Sequence, residues 1–249
     1  MLNSRRLLFF FLFLFPSPAW ATYTFVSSGS AGSTNDGVSV SVTLNTSTAN
    51  LILVAVSDYE ATTACTFMDG NSNSWTLRDT QSYSGSSRLR TYYTSSTTPT
   101  VGAGHSFSCG SSTSYMSIAV MAFLGVATSP ADQITSMTGF GTSFTHSTIT
   151  PTENNELLAL ATSSEDVVTA VSGGGFISPS QENVAISSGQ HFAVSFTYVI
   201  QTTATGVTPS VEFSTNIPWT SDITTYKTTT VVPPTGPKKG SLLTLGVGR

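Results

Sequence analysis

The chain of 249 residues is only 9% charged, against roughly 25% for an average soluble protein, and its formal net charge is −4. This sparse, slightly acidic balance excludes the basic footprint that nucleic acid or anionic lipid would select. At 39% apolar residues the chain is also unlike a disordered one. Ser and Thr, rather than charges, supply its polar surface, and Thr suits strands because its branched Cβ fits a pleated sheet.

The first 21 residues read as an export signal. Arg5 and Arg6 give a positive start, Leu7 to Phe15 is an unbroken apolar run, and Pro16 and Pro18 end it. Ala19-Trp20-Ala21 then offers a small-x-small cleavage pattern. A membrane anchor is the alternative, but a span needs roughly 20 apolar residues, and nothing later in the chain is long and apolar enough. Cleavage after Ala21 leaves residues 22–249 with 7 basic and 13 acidic side chains, a net charge of −6. The expected location is outside the cytoplasm: secreted, at the cell surface or periplasmic.

Period-2 alternation then runs through most of the chain. In residues 37–44, Val38, Val40 and Val42 share one face. Residues 51–56, LILVAV, are apolar on both faces and read as a central strand with both sides covered. Cys65 and Cys109 lie in the strand-like ACTFMD and HSFSC. An even cysteine count in an exported chain permits a disulfide; two separate buried thiols are the alternative. The bridge would close a loop of roughly 45 residues and contribute on the order of 3–4 kcal/mol.

Further along, residues 88–93 turn Leu89, Thr91 and Tyr93 one way and Arg88, Arg90 and Tyr92 the other. Residues 118–124, IAVMAFL, are again apolar on both faces. The join at 125–143 holds its own strand-like QITSM. Residues 191–200 align Phe192, Val194, Phe196 and Tyr198. No stretch keeps a 3.6-residue period with helix caps, so no long helix is expected. From Thr228 to Gly240, three prolines and two lysines read as a linker, and the closing SLLTLGVGR is too short to span a membrane.

Asn50–Val56, NLILVAV, reappears as NELLALA at Asn155–Ala161, an offset of 105 positions. The same offset sets Thr43-Leu44 on Thr148-Ile149 and Tyr93 on Tyr198. With a two-residue slip, the strand ending at Phe123 meets the strand ending at Tyr226. The expected fold is all-β: an antiparallel double-layer β-sandwich, jelly-roll-like, over residues 22–227. It is built from two pseudo-repeated halves, about 37–126 and 143–227. Two immunoglobulin-like domains are the alternative, and chance likeness of generic strands is the plainer explanation of the repeat.

On these elements the chain resembles a loose group of uncharacterised bacterial, metagenomic and phage-associated β-sandwich surface modules. The resemblance rests on NLILVAVS (50–57), Asp69-Gly70-Asn71-Ser72-Asn73-Ser74-Trp75, Tyr92-Tyr93, FLGV (123–126) with Pro130 and Asp132, and NELLALA (155–161). It implies a sandwich and an outside location, and it carries no catalytic residues to transfer.

Several constellations bear on chemistry. Gly104-His105-Ser106-Phe107-Ser108 approaches a nucleophile elbow but lacks the final glycine that the crowded turn needs. His105, His146 and His191 show no spacing that ties them to a serine and an acid, and none that suits zinc or copper. Asp69, Asn71 and Asn73 alternate with small residues in a D-x-N-x-N arrangement that can present oxygens to calcium. The alternative is a hairpin turn whose Asp and Asn side chains bond their own backbone. Asp58 with Glu60, and Glu165 with Asp166, follow the two apolar runs and read as solvated loop acids rather than a glycosidase pair.

Arg88, Arg90 and Tyr92 stand about 7 Å apart along one strand face. They offer donor forks and a flat ring, which suit the hydroxyls and rings of a glycan. The plainer reading is a charged, solvated face that discourages edge pairing. The expected function is a secreted, non-catalytic module that binds a glycan or a surface polymer. The alternatives are a secreted hydrolase acting on a polysaccharide or an ester, and a structural surface or appendage subunit.

Overall fold

The computed structural model describes residues 22–33, 38–59, 65–94, 98–110, 115–185 and 191–229. Residues 1–21, expected as an export signal, Glu60, the end of the expected linker and the side chains of His191 and Phe192 lie outside that description. Alternation turns into strands along the whole described chain. They are β1 (Thr24–Gly32), β2 (Val40–Leu44), β3 (Leu51–Tyr59), β4 (Thr66–Asp69), β5 (Trp75–Ser82), β6 (Ser87–Thr94) and β7 (His105–Gly110). They continue as β8 (Met116–Leu124), β9 (Val126–Thr145), β10 (Glu156–Ser164), β11 (Val168–Ser172), β12 (Ile177–Ala185), β13 (His191–Gln201) and β14 (Ser210–Thr228). No helix among the described residues is long and apolar enough to cross a membrane.

The strands form three antiparallel sheets. The first runs β1-β8-β3-β6-β5, and the second runs β11-β14-β10-β13-β12 with β9 added beside β14. These two pack face to face as the expected sandwich. Leu51, Leu53, Ala55, Leu89, Met121 and Phe123 of the first sheet meet Leu157, Ala159, Ala161, Val194, Phe196 and Tyr226 of the second.

The third sheet, β2-β7-β4, adds a layer that the double-layer expectation did not include. It covers the opposite face of the first sheet, where Ile52, Val54, Val56, Ile118 and Val120 pack on Val40, Val42, Phe107 and Cys109. This explains why LILVAV is apolar on both faces: odd and even residues of β3 enter different cores, and all six are fully buried. Likewise Leu158, Leu160 and Ile223, on the far face of the second sheet, are covered by Phe144, Val168, Val211 and Phe213.

The long β9 contains the QITSM segment and pairs along most of β14. Its outer edge is closed by β5 of the first sheet. The Arg78 guanidinium donates to the carbonyls of Asp132 and Gln133 at 3.1 and 3.0 Å, and the Ser136 hydroxyl donates to Asp79. An edge strand so bridged cannot pair readily with another chain. At the β8–β9 turn, Gly125 has φ +119, and a Cβ there would lie 2.8 Å from the Thr22 carbonyl oxygen. Asn50 holds that turn by accepting from the N–H groups of Gly125 and Val126.

The strand neighbours recur along the chain. β3 lies between β8 and β6, and β10 lies between β14 and β13. Leu53 pairs with Tyr93, and Ala159 pairs with Tyr198; Leu51 pairs with Phe123, and Leu157 with Tyr226. One correction applies to the sequence alignment. An offset of 105 sets Leu53 on Leu158, yet Leu53 enters the central core and Leu158 the far one. The faces match only when the apolar runs are shifted by one further residue.

Cys65 and Cys109 form a disulfide, with Cα atoms 5.6 Å apart. Cys109 sits in β7 directly opposite Phe67 of β4, so the bridge fastens the start of β4 inside the third sheet.

Candidate functional site

The D-x-N-x-N segment forms the turn between β4 and β5, with Ser72 at its tip in the left-handed region, φ 56. Asp69 organises it. Its Oδ1 accepts from the Asn71 N–H at 2.7 Å and faces His105 Nε2 at 2.5 Å. Its Oδ2 accepts from the Asn73 N–H at 3.1 Å, the Asn73 amide at 2.7 Å and the Trp75 indole at 3.0 Å. Burial opposes its charge, but the His105 contact and the donors of Asn71, Asn73 and Trp75 hold its carboxyl below the ordinary range. The Asn73 amide oxygen accepts from the Thr100 N–H. The three residues expected to share a calcium ion are thus brought together, with the oxygens of Asp69 and Asn73 turned to internal donors, as in the hairpin alternative. Among the described residues no group of three or more His, Cys, Asp or Glu side chains could hold a metal.

His105 acquires partners that spacing did not reveal. Its Nδ1 lies 3.0 Å from the Thr46 hydroxyl, so Thr46, His105 and Asp69 form a hydroxyl–imidazole–carboxylate chain. Thr46 is fully buried and exchanges hydrogen bonds with both backbone groups of Gly102, which makes the chain an internal strut. His146 Nε2 lies 3.3 Å from the Ser221 hydroxyl, which itself donates to the Ala161 carbonyl. Both are buried, and burial pushes the His146 imidazole down to about 4. Neither hydroxyl is open to a substrate.

Arg88, Arg90 and Tyr92 share one face of β6, as alternation requires, but that face is not solvated. Arg90 is 8% exposed, and across from it on β3 stands Asp58, which is fully buried. Asp58 was read as a loop acid; it is instead the anchor of the cluster. It accepts from Arg88 Nε at 2.5 Å and from Arg90 Nη2 at 2.7 Å. Arg90 Nη1 also donates to the Cys65 carbonyl at 2.8 Å, and the Cys65 N–H donates to Asp58. The two arginines therefore tie β3 and β6 to the disulfide. The other pair expected to be solvated is also engaged: Glu165 accepts from Ser86, and Asp166 from Ser214 and Thr215.

Tyr92 differs from its two neighbours. It is half-buried and stacks on Phe67, with ring centroids 5.2 Å apart, and Phe67 meets Trp75 edge-on at 5.0 Å. All three rings border the second core without being sealed into it. Leu77, directly opposite Tyr92 in the β5–β6 pairing, is 51% exposed. Together they form an apolar, aromatic ledge. Only Tyr92 was legible as a binding residue, because Trp75 and Leu77 come beside it through the β5–β6 pairing and Phe67 through packing of the third sheet on the first. Comparison with family models, with curated proteins and with solved structures returned no match.

Proposed function

We propose that the chain is an exported, non-catalytic β-sandwich module that binds a glycan or another surface polymer on the ledge of Phe67, Trp75, Leu77 and Tyr92. The observation that carries the reading is the incomplete burial of three rings, Trp75 and Tyr92 packed on Phe67, beside an exposed leucine at the border of the second core. Aromatic faces pack on the apolar faces of sugar rings, and a tyrosine hydroxyl adds a polar handle. The burial of both hydroxyl–imidazole contacts supports the non-catalytic reading over the hydrolase. The disulfide fits an oxidising, exported setting. Arg88 and Arg90 serve here as supports beneath Tyr92, whose hydroxyl lies 3.4 Å from Arg90 Nη1.

The test is a glycan array probed with the mature chain and with a Leu77→Glu variant. Leu77 is the cleaner probe than Tyr92, because Tyr92 also packs on Phe67. The wild type should bind a subset of glycans, and the variant should lose at least about fivefold, equivalent to roughly 1 kcal/mol, with its melting temperature unchanged. An array with no wild-type signal would overturn the proposal.

A further inference from the structure

A second constellation lies on the far face of the second sheet, at its rim. Tyr226 of β14 pairs with Leu157 of β10 on one side and with Ala131 of β9 on the other. The adjoining residues Lys227, Glu156 and Asp132 therefore converge from three neighbouring strands. Lys227 Nζ lies 3.4 Å from Asp132 Oδ1, with Glu153 Oε1 at 3.7 Å as a second neighbour.

Two donors hold the other oxygen of Asp132: the Thr152 N–H at 3.0 Å and the Thr225 hydroxyl at 3.2 Å reach Oδ2. Glu156 is fully buried. Its Oε1 accepts from the Glu153 N–H at 2.8 Å and from the Thr152 hydroxyl, and its carboxyl also faces the side chains of Thr225 and Asp132. Burial raises the Glu156 carboxyl, with the nearby charge of Asp132 adding to the rise and the Glu153 N–H opposing it. Asp132 stays below the ordinary range despite burial, through Thr152, Lys227 and Thr225.

We propose that Lys227 and Asp132 become joined by an intramolecular amide bond, with Glu156 acting as the proton carrier. The reaction starts from the ion pair. A proton passes from the Lys227 ammonium to Asp132 Oδ1, leaving a neutral amine beside a carboxylic acid and no change in net charge. The amine lone pair attacks Asp132 Cγ and forms the C–N bond, while charge developing on Oδ2 is held by the Thr152 N–H and the Thr225 hydroxyl. In its protonated form, which burial favours, Glu156 gives a proton to the Oδ1 hydroxyl as the C–Oδ1 bond breaks, and it takes one back from the amine nitrogen. The products are one amide and one water; nothing is oxidised or reduced, and no co-reactant is needed. Amide formation from free groups in water is unfavourable, and fixed juxtaposition of amine and acid removes the entropic part of that cost. The bond would staple β9 to β14, the last strand of the sandwich.

Intact mass of the mature, non-reduced protein tests this, combined with peptide mapping and acylation of free amines. The wild type should be lighter than its sequence by the two hydrogens of the disulfide and by one water. A branched peptide should connect Lys227 to Asp132, and Lys227 should resist acylation. A Glu156→Gln variant that folds, judged by its circular dichroism, should keep the water and expose Lys227 to the reagent. Three results would overturn the proposal. They are a wild type that retains the water with Lys227 acylated, a water loss mapped to a succinimide at Asp69-Gly70, and a Glu156→Gln chain dehydrated as completely as the wild type.

Discussion

Arg90 occupies the strand face that alternation assigns to it and is nonetheless buried, because Asp58 and the Cys65 carbonyl stand across from it. Alternation reports which residues share a face; it says nothing of what lies opposite. Replacing Arg90 with Met leaves Asp58 buried with Arg88 as its one cation and the Cys65 N–H as its other donor, and breaking a buried pair from one side is costly. Urea unfolding of Arg90→Met should show a loss of about 3 kcal/mol. A loss below about 1 kcal/mol would mean that Arg88 alone suffices.

Among the groups that shift on folding, two buried ones act on the pH dependence with opposite sign. Asp222 lies between the sheets, accepts from the Thr91 hydroxyl at 2.5 Å, and is pushed up to about 7 chiefly by burial, with Asp79 adding to the rise and Arg78 opposing it. Its folded pKa exceeds its unfolded one. The stability it contributes is therefore full at acid pH and lost as pH rises through about 7. His146, pushed down to about 4, acts the other way: its contribution is present above the usual imidazole range and lost as pH falls towards 4. Over the mildly acid window the two oppose each other and flatten the wild-type curve. Asp222→Asn should expose the His146 limb, so that stability measured by urea unfolding falls steadily as pH is lowered from about 6.5 to 4. A variant curve as flat as the wild type would contradict the assignment.

At the scale of elements, the central strands were legible and the third sheet was not. LILVAV and IAVMAFL lack a polar face, which only cover on both sides explains. β2, β4 and β7 are short and alternate, a pattern equally suited to a sheet with one face in water, so nothing in them announced a further layer. The ledge was hidden for a related reason, since Trp75 and Leu77 reach Tyr92 through strand pairing and Phe67 through sheet packing, none of which spacing reports. The layered account makes β3 a keystone. Leu53→Ala should destabilise by about 2–5 kcal/mol, because its site is closed on every side and cannot collapse around the loss. Reduction of Cys65–Cys109 should cost on the order of 3–4 kcal/mol on the same unfolding curve. Mass spectrometry of the untreated protein should show both thiols protected from alkylation.

For the whole molecule, the neighbour order recurs in part, with the start of β14 between β9 and β11 much as β7 lies between β2 and β4. The aromatic ledge belongs to one half only. The corresponding stretch of β13 carries Ala193, Ser195 and Thr197 where β6 carries Arg88, Arg90 and Tyr92. The proposed binding is therefore expected on the β4–β6 side of the sandwich alone. Trp75 in the ledge and Trp219, which is buried and stacked on Phe144, are the two tryptophans outside the first 21 residues. A Trp219→Phe variant isolates the Trp75 signal. Its emission, titrated with polysaccharide fragments chosen from the array, should change saturably, and the change should vanish on adding Leu77→Glu. Binding of those fragments with no change in Trp75 emission would contradict the placement of the site on this ledge.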